Sequence, residues 1–88
     1  MTNKNILVTG GLGILGASLV KKLNNKNNYN IYILDRSKNL KKIKVLELYK
    51  LKKVKIIKGN FCDYKTVLRL IKNKNIGTIF HLGAITAL

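Results

Sequence analysis

Residues 9–16 read Thr9-Gly10-Gly11-Leu12-Gly13-Ile14-Leu15-Gly16, and half of them are glycine. The apolar run Ile6-Leu7-Val8 stands just before this stretch, and Ala17-Ser18-Leu19-Val20-Lys21-Lys22-Leu23, with the spacing of a helix, follows it. A strand, a glycine turn and a helix therefore meet at one point. Further along, Ile31–Leu34, Val54–Ile57 and Ile79–Leu82 repeat the apolar pattern of the first run. Most of these runs alternate little, which suits strands of a parallel sheet covered on both faces. Helical stretches are predicted between them. The first, Ile14 to Asn24, carries Leu15, Leu19, Val20 and Leu23 on one face. The second, Lys38 to Leu51, carries Leu40, Ile43, Leu46 and Leu51, and the third, Tyr64 to Asn73, carries Val67, Leu68 and Ile71. Asp63 stands where an N-cap belongs, Asn75-Ile76-Gly77 reads as a helix exit and turn, and Asn24 to Asn30 reads as a loop. The order β-α-β-α-β-α-β predicts an α/β fold, a doubly wound parallel sheet with right-handed crossovers.

At 88 residues the chain makes at most one small domain, and its 47% apolar content is that of a globular protein. No repeat, linker or second domain is visible. No apolar run approaches the roughly 20 residues of a membrane span, and the N-terminal residues lack the features of a signal peptide. Cys62 is the single cysteine, so no internal disulfide can form, and a cytoplasmic location is the default expectation. The charge is unusual, with 18 Lys+Arg against 3 Asp+Glu and a formal net charge of +15. Such a balance can mark a nucleic-acid binder. However, only Arg36 and Arg69 are arginines, the lysines are spread over every segment, and stacking aromatics are not interleaved with them. The joint excess of lysine and asparagine fits AT-rich codon usage better than a selected polyanion site, so nucleic acid is the weakest partner expectation.

The glycines fit the pattern G-x-G-x-x-G at Gly11, Gly13 and Gly16, and G-x-x-G-x-x-G at Gly10, Gly13 and Gly16. Glycines make turns in any protein, so the context carries the reading. A strand precedes the loop, a helix begins inside it, and an acid, Asp35, ends the next strand about 20 residues on, as a dinucleotide-binding fingerprint requires. Early glycines permit a tight turn. Gly13 lets a pyrophosphate approach the backbone, Gly16 lets the helix pack close to the strand, and free N–H groups at the helix start bind the phosphates. Asp35 would accept hydrogen bonds from the hydroxyls of an adenosine ribose and repel a 2′-phosphate, which favours NAD over NADP. Arg36 beside it could pair with a 2′-phosphate, so NADP stays open as the lesser expectation.

These residues resemble the extended short-chain dehydrogenase/reductases. Thr9 to Gly16 is similar to their T-G-x-x-G-x-x-G loop, Gly59-Asn60-Phe61-Cys62-Asp63 to their G-D-x-x-D segment after the third strand, and Phe80-His81-Leu82-Gly83-Ala84 to their F-H-L-A-A segment ending the fourth. The three motifs come in the family's order and span nearly the whole chain. From Gly59 to Thr86 the chain looks most like the NAD-dependent sugar-nucleotide epimerases and 4,6-dehydratases. The resemblance implies a partial Rossmann sheet of strand order 3-2-1-4. It implies that Gly10, Gly13, Ile14, Leu15 and Gly16 hold the pyrophosphate, in part through the backbone N–H groups of Ile14 and Leu15. It implies that Asp35 holds the ribose. Asp63 would take the adenine amino group, with Phe61 or Cys62 beside the ring, and Leu82, Gly83 and Ala84 would run under the cofactor. Asp63 can also be a plain helix cap, and both roles are compatible. Two residues depart from the pattern: Asn60 replaces the first acid of G-D-x-x-D, and Gly83 replaces an alanine.

His81 is expected to be a packed histidine rather than a catalytic base, and Cys62 a small apolar filler. Catalysis in the family uses a Tyr-x-x-x-Lys pair with a Ser or Thr, beyond the fourth strand. The string Tyr49-Lys50-Leu51-Lys52-Lys53 precedes the third strand and is set aside as a chance match. No catalytic or metal-binding residue is therefore assigned. Residues 1–88 are expected to form the N-terminal half of an NAD(P)-binding Rossmann domain, inactive alone, that would meet a nucleotide sugar only with the missing half supplied. The fourth strand would then be an apolar edge. A non-catalytic Rossmann module that senses a dinucleotide or pairs with a partner remains the second reading. The oligomeric state is not legible.

Overall fold

The structure, a computed structural model, describes residues 3–10, 14–25, 28–36, 47 and 51–82. Its elements run β1 (Asn5–Thr9), α1 (Ile14–Asn24), β2 (Asn30–Asp35), β3 (Val54–Lys58), α2 (Tyr64–Asn73) and β4 (Thr78–His81). The four strands form one sheet in the order β3-β2-β1-β4, every pair parallel. The expected strand order is thus the observed one.

Register decides the two faces of this sheet. Ile6 is level with Ile31 and Thr78, and Val8 with Ile33 and Phe80, while Val54 and Ile56 continue those rows on β3. The apolar members of these rows pack with Ala17, Val20 and Leu23 of α1 into one cluster. The opposite face presents Leu7, Thr9, Tyr32, Leu34, Ile57, Ile79 and His81. Helix α2 lies over it. A Cβ at Gly59 would stand 2.9 Å from Leu34 Cδ1 and 3.5 Å from Thr66 Cγ2, so only a glycine fits between strand and helix there without a shift of Leu34. Just past α2, the ammonium of Lys74 sits over the ring of Tyr32.

Several expectations are corrected. Strand β1 is buried from Ile6 to Thr9 and β2 at Ile31, Ile33 and Leu34, as continuous apolar runs require, but β3 and β4 hold only half-buried and exposed residues. They are the outer strands, with a neighbour on one side only. On α1 the buried stripe is Gly16, Ala17 and Val20, with Leu23 half-buried, whereas Leu15 is 73% exposed. Gly16 and Ala17, the small residues, are the ones turned to the sheet, where a close approach needs them. On α2, Leu68 is exposed while Val67, Leu70 and Ile71 are half-buried. The helix expected over Lys38 to Leu51 falls almost entirely outside the described residues. Glu47 within it has φ 58, a left-handed backbone, so no continuous right-handed helix passes through that residue. Cys62 is exposed and fills no core.

The two ends of α2 are fixed by different devices. At its start, the Asp63 carboxylate accepts the Lys65 N–H and so caps the helix. At its end, Ile76 N–H donates to Ile71 O and Asn75 N–H to Lys72 O, with Asn75 at φ 50. This is a Schellman exit with asparagine in the left-handed position and an isoleucine at each of the two apolar positions that accompany it. Asparagine side chains then tie this exit to the sheet. Asn5 Nδ2 donates to Lys74 O and Asn75 O, Asn3 Nδ2 donates to Asn75 O, and Asn30 Nδ2 donates to Asn5 Oδ1. The open hollow lined by Asn3, Lys4, Asn5, Asn30 and Asn75 at this amino end of the sheet is therefore a clasp of amides already engaged with the protein.

The left-handed exit gives a stability prediction. Asn75→Ala should lower the unfolding free energy by about 1 kcal/mol, and Asn75→Gly should match or exceed the wild type, because only the Cβ is penalised at this φ. Denaturant titration of the two variants checks the order.

Candidate functional site

In an open parallel sheet, ligands bind outside the carboxyl ends of the strands, where the strand order reverses. Here the chain passes from β1 to β2 on one side, then from β3 to β4 on the other. The reversal lies between β1 and β4, and the residues around it are Thr9 and Gly10 on one strand, His81 and Leu82 on the next. Gly10 has φ 73, so the chain turns through a left-handed conformation as it leaves β1, and its N–H donates to Leu34 O at 3.0 Å. Helix α1 then begins at Ile14 with no acidic residue in its first turn, leaving the positive end of its dipole uncompensated by side chains of that turn. Gly11, Leu12 and Gly13 lie outside the described residues.

The acids of the site stand on the same edge. Asp35 ends β2, half-buried and level with Lys58 of β3, and its carbonyl accepts the Gly59 N–H at 2.8 Å. Arg36 follows, exposed. Beyond β3 the chain makes a turn in which Asn60 Oδ1 accepts the Cys62 N–H and Asn60 O accepts the Asp63 N–H. Asparagine thus supplies the same acceptor oxygen that an aspartate would, which accounts for its place in the motif. In Asp63, Oδ1 accepts the Lys65 N–H and Oδ2 accepts the Thr66 hydroxyl at 2.8 Å. The Thr66 hydrogen bond is the main reason the Asp63 carboxyl titrates below the usual carboxylate range; desolvation opposes it, and the backbone N–H groups of Thr66 and Lys65 and the charge of Arg69 add to it.

The structure therefore brings Gly10, Ile14, Leu15, Gly16, Asp35, Arg36, Asp63 and Leu82 to the elements the sequence assigned them. Leu82 N–H donates to Thr9 O at 3.0 Å, extending the β1–β4 pairing by one residue. Gly83 and Ala84 lie outside the described residues, as does Tyr49. Sequence reasoning missed one contact. Thr9 Oγ1 and His81 Nδ1 are 2.7 Å apart, and the Phe61 and His81 rings meet edge to face with centroids 5.4 Å apart. His81 is packed in this sense, yet it is exposed rather than buried. A cross-strand partner of this kind becomes visible only once the register is known. Among the described residues no group of three or more His, Cys, Asp or Glu could hold a metal ion, and no helix is long and apolar enough to cross a membrane.

A parallel 3-2-1-4 sheet with a left-handed glycine at the end of β1 and a helix start beside it defines a Rossmann-type nucleotide-binding fold. The sequence matches the GDP-mannose 4,6 dehydratase family over residues 7–88, and the chain belongs to that family. Solved structures agree on the architecture. The dTDP-glucose 4,6-dehydratase of Bacillus anthracis, solved in complex with NAD, is 27% identical over 91% of this chain, with a TM-score of 0.76. The terminal R domain of the myxalamid PKS-NRPS biosynthetic pathway is 30% identical over 99% of the chain, with a TM-score of 0.72. The UDP-glucuronic acid 4-epimerase of Bacillus cereus, solved with UDP-glucuronic acid and NAD, shares the fold at 24% identity over 94% of the chain, with a TM-score of 0.72. The chain spans about a quarter of the length of each, at 26%, 26% and 27%.

The Asp63 cap yields a pH prediction. A carboxylate whose folded pKa is depressed stabilises the fold above its unfolded pKa, and that contribution is lost as the pH falls through the folded pKa. Thermal melts should therefore show α2 weakening on acidification below the ordinary carboxylate range. Asp63→Asn, still a good cap, should keep the neutral-pH Tm and flatten this acid limb, while Asp63→Ala should lower the Tm at neutral pH.

Proposed function

We propose that residues 1–88 form the N-terminal half of an NAD(P)-binding Rossmann domain, and that the protein acts on a nucleotide sugar as a 4,6-dehydratase or epimerase. One observation carries the cofactor part. The left-handed Gly10, the start of α1 and the acid Asp35 stand on one carboxyl edge beside the strand reversal. Gly10 turns the chain away from β1 so that the glycine-rich residues lead into the free N–H groups of α1. Those groups, with Gly13, Ile14, Leu15 and Gly16 around them, would hold the pyrophosphate. Asp35 would accept the ribose hydroxyls. Asp63 would take the adenine amino group, since a carboxylate offers about four acceptor sites and the donors of its own turn, the Thr66 hydroxyl and the N–H groups of Lys65 and Thr66, use only part of them. Leu82, Gly83 and Ala84 would run beneath the nicotinamide side. When bound, the dinucleotide supplies hydride transfer, and the chain's own residues bind and orient it.

NAD is the favoured form because Asp35 opposes a 2′-phosphate. Arg36 and Lys58 beside it temper that preference. The substrate class rests on the family match rather than on the sheet, since the myxalamid R domain has a similar fold. The groups that would use the cofactor are not assigned among residues 1–88; Lys53 of the Tyr49-x-x-x-Lys53 string gives its carbonyl to Ile31 N–H, at the amino end of β2 and away from the strand reversal.

Titration of the gene product with NAD and with NADP tests this reading. Saturable NAD binding is expected, weaker for NADP. Asp35→Ala should weaken NAD by about tenfold, the scale of a charged hydrogen bond, and shift the preference toward NADP. Absence of binding at millimolar NAD, or an Asp35→Ala variant that binds NAD as the wild type does, would overturn it.

A further inference from the structure

Three segments stand at the carboxyl edge: Thr9 and Gly10 at the end of β1, the turn after β3 that carries Phe61 and Asp63, and the end of β4. Backbone pairing fixes β4 to β1, with Thr9 level with His81. β3 pairs with neither β1 nor β4, so backbone pairing ties its turn to the end of β1 only by way of β2, through Gly59 N–H to Asp35 O and Gly10 N–H to Leu34 O. The direct link across that span runs through one side chain. The His81 ring shares a hydrogen bond with the Thr9 hydroxyl, at 2.7 Å, and presents itself edge to face to Phe61. Thr9 is only 2% exposed, and no buried side-chain nitrogen or oxygen among the described residues lacks a partner, so the hydroxyl anchors the ring from inside the protein. Phe61, half-buried, is two residues from Asp63.

We infer that His81 is a positioning residue whose imidazole bridges Thr9 and Phe61 and so sets the adenine-side turn against Thr9 and Gly10 at the end of β1. The inference rests on the dinucleotide reading above and adds to it what holds the two halves of the adenosine diphosphate site in register. A hydrogen bond fixes one side of the ring and the Phe61 contact uses another, so the two functions can be removed separately. His81→Asn keeps a polar group for the Thr9 hydroxyl but has no ring for Phe61. His81→Phe keeps a ring but orphans a buried hydroxyl.

The test uses the gene product, with ADP as the probe and the Tm as a second readout. His81→Asn should lower the Tm less than His81→Phe does and weaken ADP binding by about three- to tenfold, the scale of an aromatic pair. Phe61→Leu should weaken ADP similarly, and the double variant should lose no more than either single one. His81→Phe should lower the Tm, yet well below that Tm it should bind ADP within about twofold of wild type. Unchanged ADP affinity in His81→Asn would overturn the inference. So would affinity that falls in step with Tm across both His81 variants, or additive losses in the double variant. A wild-type protein that does not bind ADP would instead overturn the dinucleotide reading itself.

Discussion

Strand β1 is paired on both sides and buried on both faces, and every other element is placed by reference to it. Ile6 and Val8 close the core against α1, while Leu7 is fully buried on the opposite face. Burying three such side chains contributes about 1.5–3 kcal/mol each. That is a large share for a sheet whose outer strands are only half covered. Because the strand is central, the backbone that leaves it emerges in the middle of the carboxyl edge, with β2 on one side and β4 on the other. The glycine turn begins there for that reason. A ligand held at that point has the ends of all four strands within reach, and Asp35, Asp63 and His81 each arrive on a different element.

The amino end of the sheet complements this arrangement. The Asn3, Asn5 and Asn30 amides close on the exit of α2 and on one another, so the helix is pinned at the end away from the site. Its other end begins at Asp63, whose two oxygens are both engaged within its own first turn. The helix is thus held by hydrogen bonds at both ends, by the amides at one and by the Asp63 cap at the other. The polar clasp does for α2 what apolar burial does for α1, whose Val20 and Ala17 are wholly enclosed while α2 has no fully buried residue.

Much of this was legible in the sequence. The ranges of α1 and α2, the cap at Asp63 and the strand order all follow from apolar spacing, from cap chemistry and from the resemblance of three motifs. What escaped was whatever depends on pairs far apart in the chain. The exposure of Leu15 and Leu68 could not be read from helical periodicity, because the stripe that faces a sheet depends on how closely the helix docks; Gly16 and Ala17 permit a close approach. The contact of His81 with Thr9 spans 72 residues and exists only because β4 returns beside β1. The roles of Asn3, Asn5 and Asn30 were invisible for the same reason, since an asparagine-rich composition gives no hint of which amides converge. Glu47 shows the opposite limit: its apolar neighbours have helical spacing, yet its own backbone is left-handed.

The two borders of the sheet are chemically unlike. Strand β3 carries Lys55 and Lys58, both exposed, whereas β4 reads Thr78-Ile79-Phe80-His81, with Ile79 45% exposed and no lysine or acid among them. Lysines along an outer strand discourage another strand from adding to it, because their charge must be desolvated and a like-charged neighbour is repelled. The sheet therefore has a direction of growth. It is closed to extension past β3 and permissive past β4, the border that also lies next to the strand reversal.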